Sequence, residues 1–425
     1  MKTIERILKN APGVDAYRIT EGATQSYELF FVHKSLETVR ATDTVATSVT
    51  VYVDHDGKKG DSTFTVYRSM SEADMEKAVA AAVARARLVF NEPYDLPEAG
   101  EISAELPTNM KGADMQALGA QIADAVFAAD TVEGGSINAC EIFLYRDTLH
   151  VINSNGVDKT QVTHRVMIEA IPTFTDDNQS VELYEDYRFT VFDAKAVTAE
   201  IARRMQEVRD RANAVRPQTP LTVNVLLRPD EIQRMIGGLA RDLSYATVYN
   251  HGNLHKIGDD LQSGGSGDKL TVTMKAITEG SERSAFFDED GTALNDTMVL
   301  ENGIVKSYHG DSRFGQYLGI EKPSGILRCM KVAPGTLTEE EIKSAPYVEC
   351  ASLSGLQLDL YADYIGGEIR LAYYFDGEKT APITGITMSA KLSEVLAGLK
   401  LADKTCVDGA YEGPVLVMMK NVAIL

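Results

Sequence analysis

The chain has 425 residues, of which 44% are hydrophobic and 24% charged, enough for two or three domains with sizeable cores. Lysine and arginine number 42 against 62 aspartates and glutamates, a net charge of −20. So acidic a surface repels phosphate backbones and anionic membranes, which argues against direct nucleic-acid or membrane binding.

The first unit is expected over residues 1–100. Its segment "YELFFVHKSLETVRATDTVATSVTVYV" alternates apolar and polar residues, as half-buried strands do, and "STFTVYR" continues the pattern. A helix follows in "SEADMEKAVAAAVARARL", with Ser71 as N-cap, Asp74 three residues later, and a stripe of Met75, Val79, Val83 and Ala86. A second unit is expected over 108–215. A helix from Met110 to Ala129, with stripe Met115, Leu118, Ile122 and Val126, precedes its strands "CEIFLYRDTLHVINSNGVDKTQVTHRVMI" and "YRFTVFD". Its closing helix begins near Asp193 and carries Val197, Ile201, Met205 and Val208. The two units read as a repeat with a shift of 113 residues (141 − 28): Glu28 falls on Glu141, Leu29 on Ile142, Phe30 on Phe143, Val49 on Val162 and Val53 on Val166. Each closing helix is expected to pack on its own sheet.

Pro217 and Pro220 mark a boundary after the second long helix. The remainder, 218–425, holds one helix, "DEIQRMIGGLARDL", and then mostly strands. "DEDG", "ENG" and "FDGEKT" are turn signals, "QLDLYADYIGGEIRLAYYF" reads as two strands around a Gly-Gly turn, and a helix "SAKLSEVLAGLK" precedes a last apolar strand. The fold class is therefore α+β: two repeated strand-and-helix units, then a strand-dominated barrel-like or sandwich domain. The cysteines Cys140, Cys329, Cys350 and Cys406 show no C-x-x-C pairing, so neither a disulfide framework nor a zinc ribbon is expected. No window approaches the roughly 18 apolar residues of a membrane span. The start "MKTIERILKNAPG" lacks a signal-peptide pattern, and the expected location is cytoplasmic.

Candidate sites are few. In "YNHGNLHKIGDDL", His251, His255 and Asp259 recur at four-residue intervals, which on a helix would place three metal ligands on one face. Gly252 and Asn253 are turn residues, no glutamate follows His251, and the segment reads as a loop with no metal role. "SGGSGD" lacks the Lys-Ser/Thr of a phosphate loop and reads as a flexible surface loop. No G-x-S-x-G elbow occurs. Tyr361, Tyr364, Tyr373, Tyr374 and Phe375 could line a peptide groove, but sheet packing is the commoner role of such a cluster. The carboxylates are numerous and dispersed, and spacing singles out no catalytic pair.

Two stretches of the second half, "FFDEDGTALNDTMVLENGIVKSYHGDSRFGQYLGI" and "ADYIGGEIRLAYYFDGEKTAPITGITMSAKLSEVLAGL", resemble signature blocks of the TldD/PmbA family, whose older label is modulator of DNA gyrase. The resemblance implies a two-subunit cytoplasmic proteolytic system acting on peptides and unfolded segments. In it a TldD-type subunit carries zinc on a helical H-E-x-x-x-H motif with a further cysteine near the C-terminus. The PmbA/TldE-type subunit lacks the motif. Here the corresponding helix places Gln233 and Gly238 at the histidine positions and Arg234 at the glutamate position, and no histidine occurs between Pro229 and Asn250. Gln is a poor zinc ligand, Gly is none, and Arg is no general base at neutral pH. Cys406 matches the C-terminal cysteine as a candidate remnant ligand.

The resemblance thus implies a PmbA/TldE-like, non-catalytic component. It would have no catalytic residue, metal or cofactor of its own, with zinc in a TldD-like partner. The partner would be that subunit or a second copy, and the substrate a peptide or unfolded segment. The alternatives are a stand-alone metal-dependent peptidase with a relocated site built from His251, His255, Cys406 or unrecognised carboxylates, and a non-enzymatic homodimer holding peptide by strand addition.

Overall fold

The computed structural model describes residues 1–218 and 220–425. The N-terminal half is one curled sheet with helices on a single face. In chain order it contains α1 (Lys2–Asn10), β1 (Ala16–Val32), β2 (Ser35–His55), β3 (Lys58–Val66), α2 (Glu72–Ala86), β4 (Gly100–Glu105), α3 (Met115–Ala128), β5 (Gly135–Asn153), β6 (Val157–Thr175), β7 (Ser180–Glu182), β8 (Glu185–Phe189) and α4 (Ala194–Ala212). The strand order is β3-β2-β1-β5-β6-β4, with β7 and β8 also on β6.

The helix starts follow from local chemistry. Ser71 Oγ accepts from Asp74 N, Asp114 from Ala117 N, and Asp193 from the amides of Lys195 and Ala196. The cap at Asp114 starts α3 later than the expected Met110. Met110 is instead buried in the preceding turn.

Both halves of the repeat lie in the same sheet, so the expectation of a separate sheet for each helix is corrected. They meet through antiparallel β1 and β5, with Leu29 opposite Ile142. The hairpin turns at His33 and Ser154 are 121 residues apart (154 − 33), and the N-caps Ser71 and Asp193 are 122 apart (193 − 71). The order of hairpin and helix thus recurs, with the hairpin turns eight residues (121 − 113) and the N-caps nine residues (122 − 113) beyond the 113-residue register. Eight is even, so the shorter alignment still laid inward residues on inward residues and preserved the alternation that suggested it. The longer shift also makes α1 the counterpart of α3.

Ile4, Leu8, Ile19, Val49, Val51, Val79 and Ala82 form a core under α1 and α2. Leu29, Ile122, Val126, Ile142, Val166, Ile168, Ile201 and Met205 form a second core under α3 and α4.

The C-terminal half begins with β9 (Leu221–Leu227), α5 (Pro229–Asp242) and α6 (Tyr245–Tyr249). There follow β10 (Val272–Lys275), β11 (Thr297–Glu301), β12 (Ile304–Val305), α7 (Ser312–Tyr317), β13 (Cys329–Val332) and α8 (Glu339–Ile342). It ends with β14 (Tyr347–Asp359), β15 (Tyr364–Phe375), β16 (Thr380–Ile383), β17 (Ile386–Lys391), α9 (Leu392–Gly398), β18 (Lys400–Leu401), β19 (Thr405–Asp408), β20 (Tyr411–Pro414) and β21 (Val417–Ile424). Strands β14, β9, β21, β17 and β15 pair in that order, and β14 also pairs with β15, which closes a five-strand barrel. A second sheet runs β12-β11-β10-β13-β20-β19. Helix α5 packs against β9, β14 and β20, and its buried stripe of Ile232, Met235, Ile236 and Leu239 joins the core shared by barrel and second sheet. Each such fully buried side chain contributes about 1.5–3 kcal/mol. Among the described residues no helix is long and apolar enough to cross a membrane.

Two local expectations are overturned. The chain between β14 and β15 turns at residues 360–363, not at Gly366-Gly367. Those glycines lie inside β15, where a Cβ would stand 2.6 Å from Met388 O at Gly366 and 2.5 Å from Gly355 O at Gly367. They permit the close backbone approach of a tightly closed barrel. "SGGSGD" is likewise not a free loop. Gly267 N donates to Ala397 O at 2.8 Å, Asp268 N donates to Leu399 O at 2.7 Å, and a Cβ on Gly267 would stand 2.6 Å from Leu399 N.

Three docking places between the halves stand out among the described residues. Segment 286–291 lies on the sheet face opposite the helices: Phe287 packs on Val151 and Val157, Phe286 N donates to Gln161 Oε1, Lys159 Nζ donates to Gly291 O, and Arg18 pairs with Asp290. Helix α7 meets the 91–95 linker through Arg313–Asn91, Tyr317–Glu92 and Gln316–Asp95 hydrogen bonds. The third junction joins α4 to the barrel, where Tyr373 Oη donates to Asp210 Oδ2 at 2.7 Å.

Candidate functional site

Helix α5 carries Gln233, Arg234 and Gly238, the three positions expected to match the metal motif. Pro229 stands in its first turn, where a missing N–H costs nothing, and Asp230 and Glu231 oppose the positive end of the helix dipole. Its apolar stripe points into the core, which determines where the other side chains go. Gln233 is half-buried, Arg234 is exposed, and Gly238 lies under Leu358 of β14. A Cβ at position 238 would already stand 3.1 Å from Leu358 Cδ2, so a longer ligating side chain there would have to displace Leu358.

Cys406 lies on β19, opposite Gly413 of β20, and packs partly against the core. Burial, followed by the charge of Asp408, pushes its thiol up to about 11, so it is protonated at neutral pH and a poor metal ligand as it stands. On the same strand, burial of the carboxyl and then repulsion from Asp230 and Glu200 push Asp408 up to about 6, although the residue as a whole keeps an exposed surface. Strand β19 pairs with β20, against which α5 packs.

The histidines that first suggested a metal do not converge. Helix α6 ends at Tyr249, and His251 sits beyond it, exposed, in the left-handed region at φ 56°. His255 Nδ1 lies 2.9 Å from Asp242 Oδ2. Asp242, buried at the end of α5, also accepts from Leu254 N at 2.7 Å and His255 N at 3.0 Å. The Asp242 carboxylate therefore anchors the loop. Asp259 accepts from Lys256 N at 2.7 Å in a turn of its own. Among the described residues no group of three or more His, Cys, Asp or Glu side chains is arranged to hold a metal ion.

What the fold does assemble at the N-terminal end of α5 is a charged cluster across the domain junction. Glu207 of α4 accepts from Arg228 Nη1 at 2.6 Å, Arg203 Nη1 at 2.7 Å and Arg204 Nη1 at 2.9 Å. Arg228 also donates to Glu349 Oε1 at 2.9 Å, Arg204 pairs with Glu185 at 2.9 Å, and Lys343 pairs with Glu349 at 2.8 Å. Arg204 Nη1 further donates to Ala351 O of β14 at 3.1 Å. Burial raises the Glu207 carboxyl, but Arg204, Arg203 and Arg228 together outweigh it and hold it below the ordinary glutamate value. Glu231, 7% exposed, has no side-chain partner among the described residues, and burial pushes it up to about 7, with the charge of Asp230 adding to the effect. Sequence reading missed this cluster because its members come from five separated segments. The only trace was the i, i+3 and i, i+4 spacing of Glu200, Arg203, Arg204 and Glu207 on α4.

Residues 220–424 match the family described as "PmbA/TldA metallopeptidase C-terminal domain". Its C-terminal half is a TldD/PmbA-family domain. A curated relative, the zinc metalloprotease TldD homolog of Saccharolobus solfataricus, is 27% identical over 147 residues, which is 34% of this chain and 31% of the relative. The alignment thus spans about a third of that protein. Among solved structures, TldE from Thermococcus kodakarensis superposes with a TM-score of 0.81 at 15% identity, covering 99% of each chain. A protein from Bacteroides thetaiotaomicron named as a proposed modulator of DNA gyrase superposes with a TM-score of 0.82 at 14% identity, covering 100% of this chain and 97% of its own. At that identity the likeness shows the fold. The metallopeptidase name implies zinc, and the residues present do not fit it: among the described residues no group of three or more His, Cys, Asp or Glu side chains could hold the ion, Gln233, Arg234 and Gly238, the positions expected to match the motif, supply no donor set, and the Cys406 thiol is protonated.

Proposed function

We propose that this chain is a PmbA/TldE-like, non-catalytic component of a cytoplasmic peptide-processing complex. A TldD-like partner would supply the zinc, and the substrate would be a peptide or an unfolded segment. The observation that carries this reading is the filling of the motif face. Gly238 is packed under Leu358, and Arg234 projects to solvent where a metallopeptidase needs a carboxylate to activate water. The helix serves as a core element, since its apolar stripe joins the core shared by the barrel and the second sheet. Four unpaired cysteines, three of them buried, suit a reducing compartment.

The test is metal content and peptide hydrolysis on one purified sample. The expected result is no stoichiometric zinc and no hydrolysis by the chain alone, with hydrolysis on addition of a TldD-like partner that depends on the presence of both chains. One tightly bound zinc per chain, with chelator-sensitive cleavage by the isolated protein, would overturn it.

A further inference from the structure

Strands β1, β2, β5 and β6 run for 17 to 21 residues, on the order of 60 Å at about 3.3 Å per residue. The two helix pairs cover the ends of that length. The core under α1 and α2 surrounds Ile19 and Val49, and the core under α3 and α4 surrounds Leu29 and Ile142. Between them, on the helix side of the sheet, lies a cavity of about 450 Å³. This is within the ~300–1,000 Å³ range of small-molecule sites. It opens to solvent past the exposed turn Lys111–Ala113.

The cavity is amphipathic. Its apolar wall is Met110, Met115, Leu118, Leu144 and Val166. Its polar wall carries one carboxylate, Glu105, which is already engaged: His164 Nε2 lies 2.7 Å from Glu105 Oε1, and Lys111 pairs with the other oxygen. Arg165 is likewise taken up, its Nε donating to Asp147 Oδ2 at 2.7 Å and its guanidinium stacked 3.9 Å from the Tyr145 ring centre. Arg146 is different. It stands half-buried between Gln25 and His164 in the sheet register and has neither an ion pair nor a side-chain hydrogen bond among the described residues. In a chain with 62 acidic and 42 basic residues, an unneutralised guanidinium at an apolar cavity is a site of charge complementarity.

We propose that this cavity binds an organic monocarboxylate bearing an apolar group, with the carboxylate on Arg146 and the apolar group against Met115, Leu118 and Val166. A single free cation beside an apolar wall suits one carboxylate better than a polyanion. A free small acid and the C-terminal residue of a peptide share this chemistry, and the proposal stands independently of whether the chain assists proteolysis.

The test is a ligand-observed NMR titration of the full chain with N-acetyl-leucine, N-acetyl-leucinamide and a four-residue peptide ending in a free leucine carboxylate. The unmodified protein should bind the acid saturably and the amide at least about tenfold more weakly, and Arg146→Gln should weaken the acid by a similar factor. Tighter binding of the peptide than of acetyl-leucine assigns the site to peptide ends, and equal or weaker binding assigns it to small acids. Absence of saturable binding, equal affinity for acid and amide, or an acid affinity unchanged in Arg146→Gln would overturn the proposal. The acid–amide comparison needs no variant, so it decides the matter even if Arg146→Gln folds poorly.

Discussion

Glu207→Gln keeps the shape of the side chain and removes its charge. Three guanidiniums, from Arg228, Arg203 and Arg204, donate to that carboxylate at 2.6, 2.7 and 2.9 Å, and its side chain is 3% exposed. Breaking a buried ion pair from one side costs about 3–5 kcal/mol, chiefly through the charge left behind. Here each arginine keeps a second carboxylate: Arg228 keeps Glu349, Arg204 keeps Glu185, and Arg203 keeps Glu200. The loss should therefore fall at the lower end of that range, about 3 kcal/mol. The chain has no tryptophan and 18 tyrosines, so urea unfolding followed by tyrosine fluorescence and by circular dichroism is the suitable assay. Glu207 and Arg228 lie on opposite sides of the domain junction, so if two transitions are resolved, both should move to lower urea. The depressed Glu207 pKa sets the pH dependence: its stabilisation is present above the ordinary glutamate value and is lost as pH falls through the lower folded value. The difference between variant and parent should accordingly shrink in acid. A loss below about 1 kcal/mol at neutral pH would refute the reasoning, because that is the worth of an exposed pair.

Glu231→Gln should act in the opposite sense. Its folded pKa is raised to about 7, so the parent's stability contribution from this group is full below the ordinary glutamate value and is lost as pH rises through about 7. Above pH 7 the variant should be the more stable by on the order of 1–3 kcal/mol, with a flatter stability profile between pH 5 and 8, read from urea midpoints across that window. A variant less stable than the parent at pH 8 would show that Glu231 is ionised and paired. Gly267→Ala should destabilise by about 1–3 kcal/mol, since its Cβ would meet the Leu399 amide at 2.6 Å and backbone cannot rotate away. A neutral result in thermal or urea unfolding would return this segment to the status of a free loop.

Local chemistry alone determined much of this protein. Alternation marked the long strands, side-chain caps at Ser71 and Asp193 started their helices where the sequence placed them, and "ENG" made the turn between β11 and β12 with Asn302 and Gly303 both at positive φ. The motif helix was legible too, and so was the absence of histidine along it. These features depend on residues within a few positions of one another. Tertiary structure decided the rest. Whether the two repeats build one sheet or two depends on the pairing of β1 with β5, more than a hundred residues apart, and the repeat register could slip by eight because an even slip leaves every side chain on its own face. Gly366 and Gly367 look like a turn until the barrel closes around them. The Glu207 cluster and the Arg146 cavity could not be read in advance, because burial and charge balance are properties of side chains brought together from distant elements. Local chemistry, by contrast, had already set His251, His255 and Asp259 apart, since the four-residue spacing they share has a common face only on a helix, and the chain leaves its helix at Tyr249, before the turn residues Gly252 and Asn253.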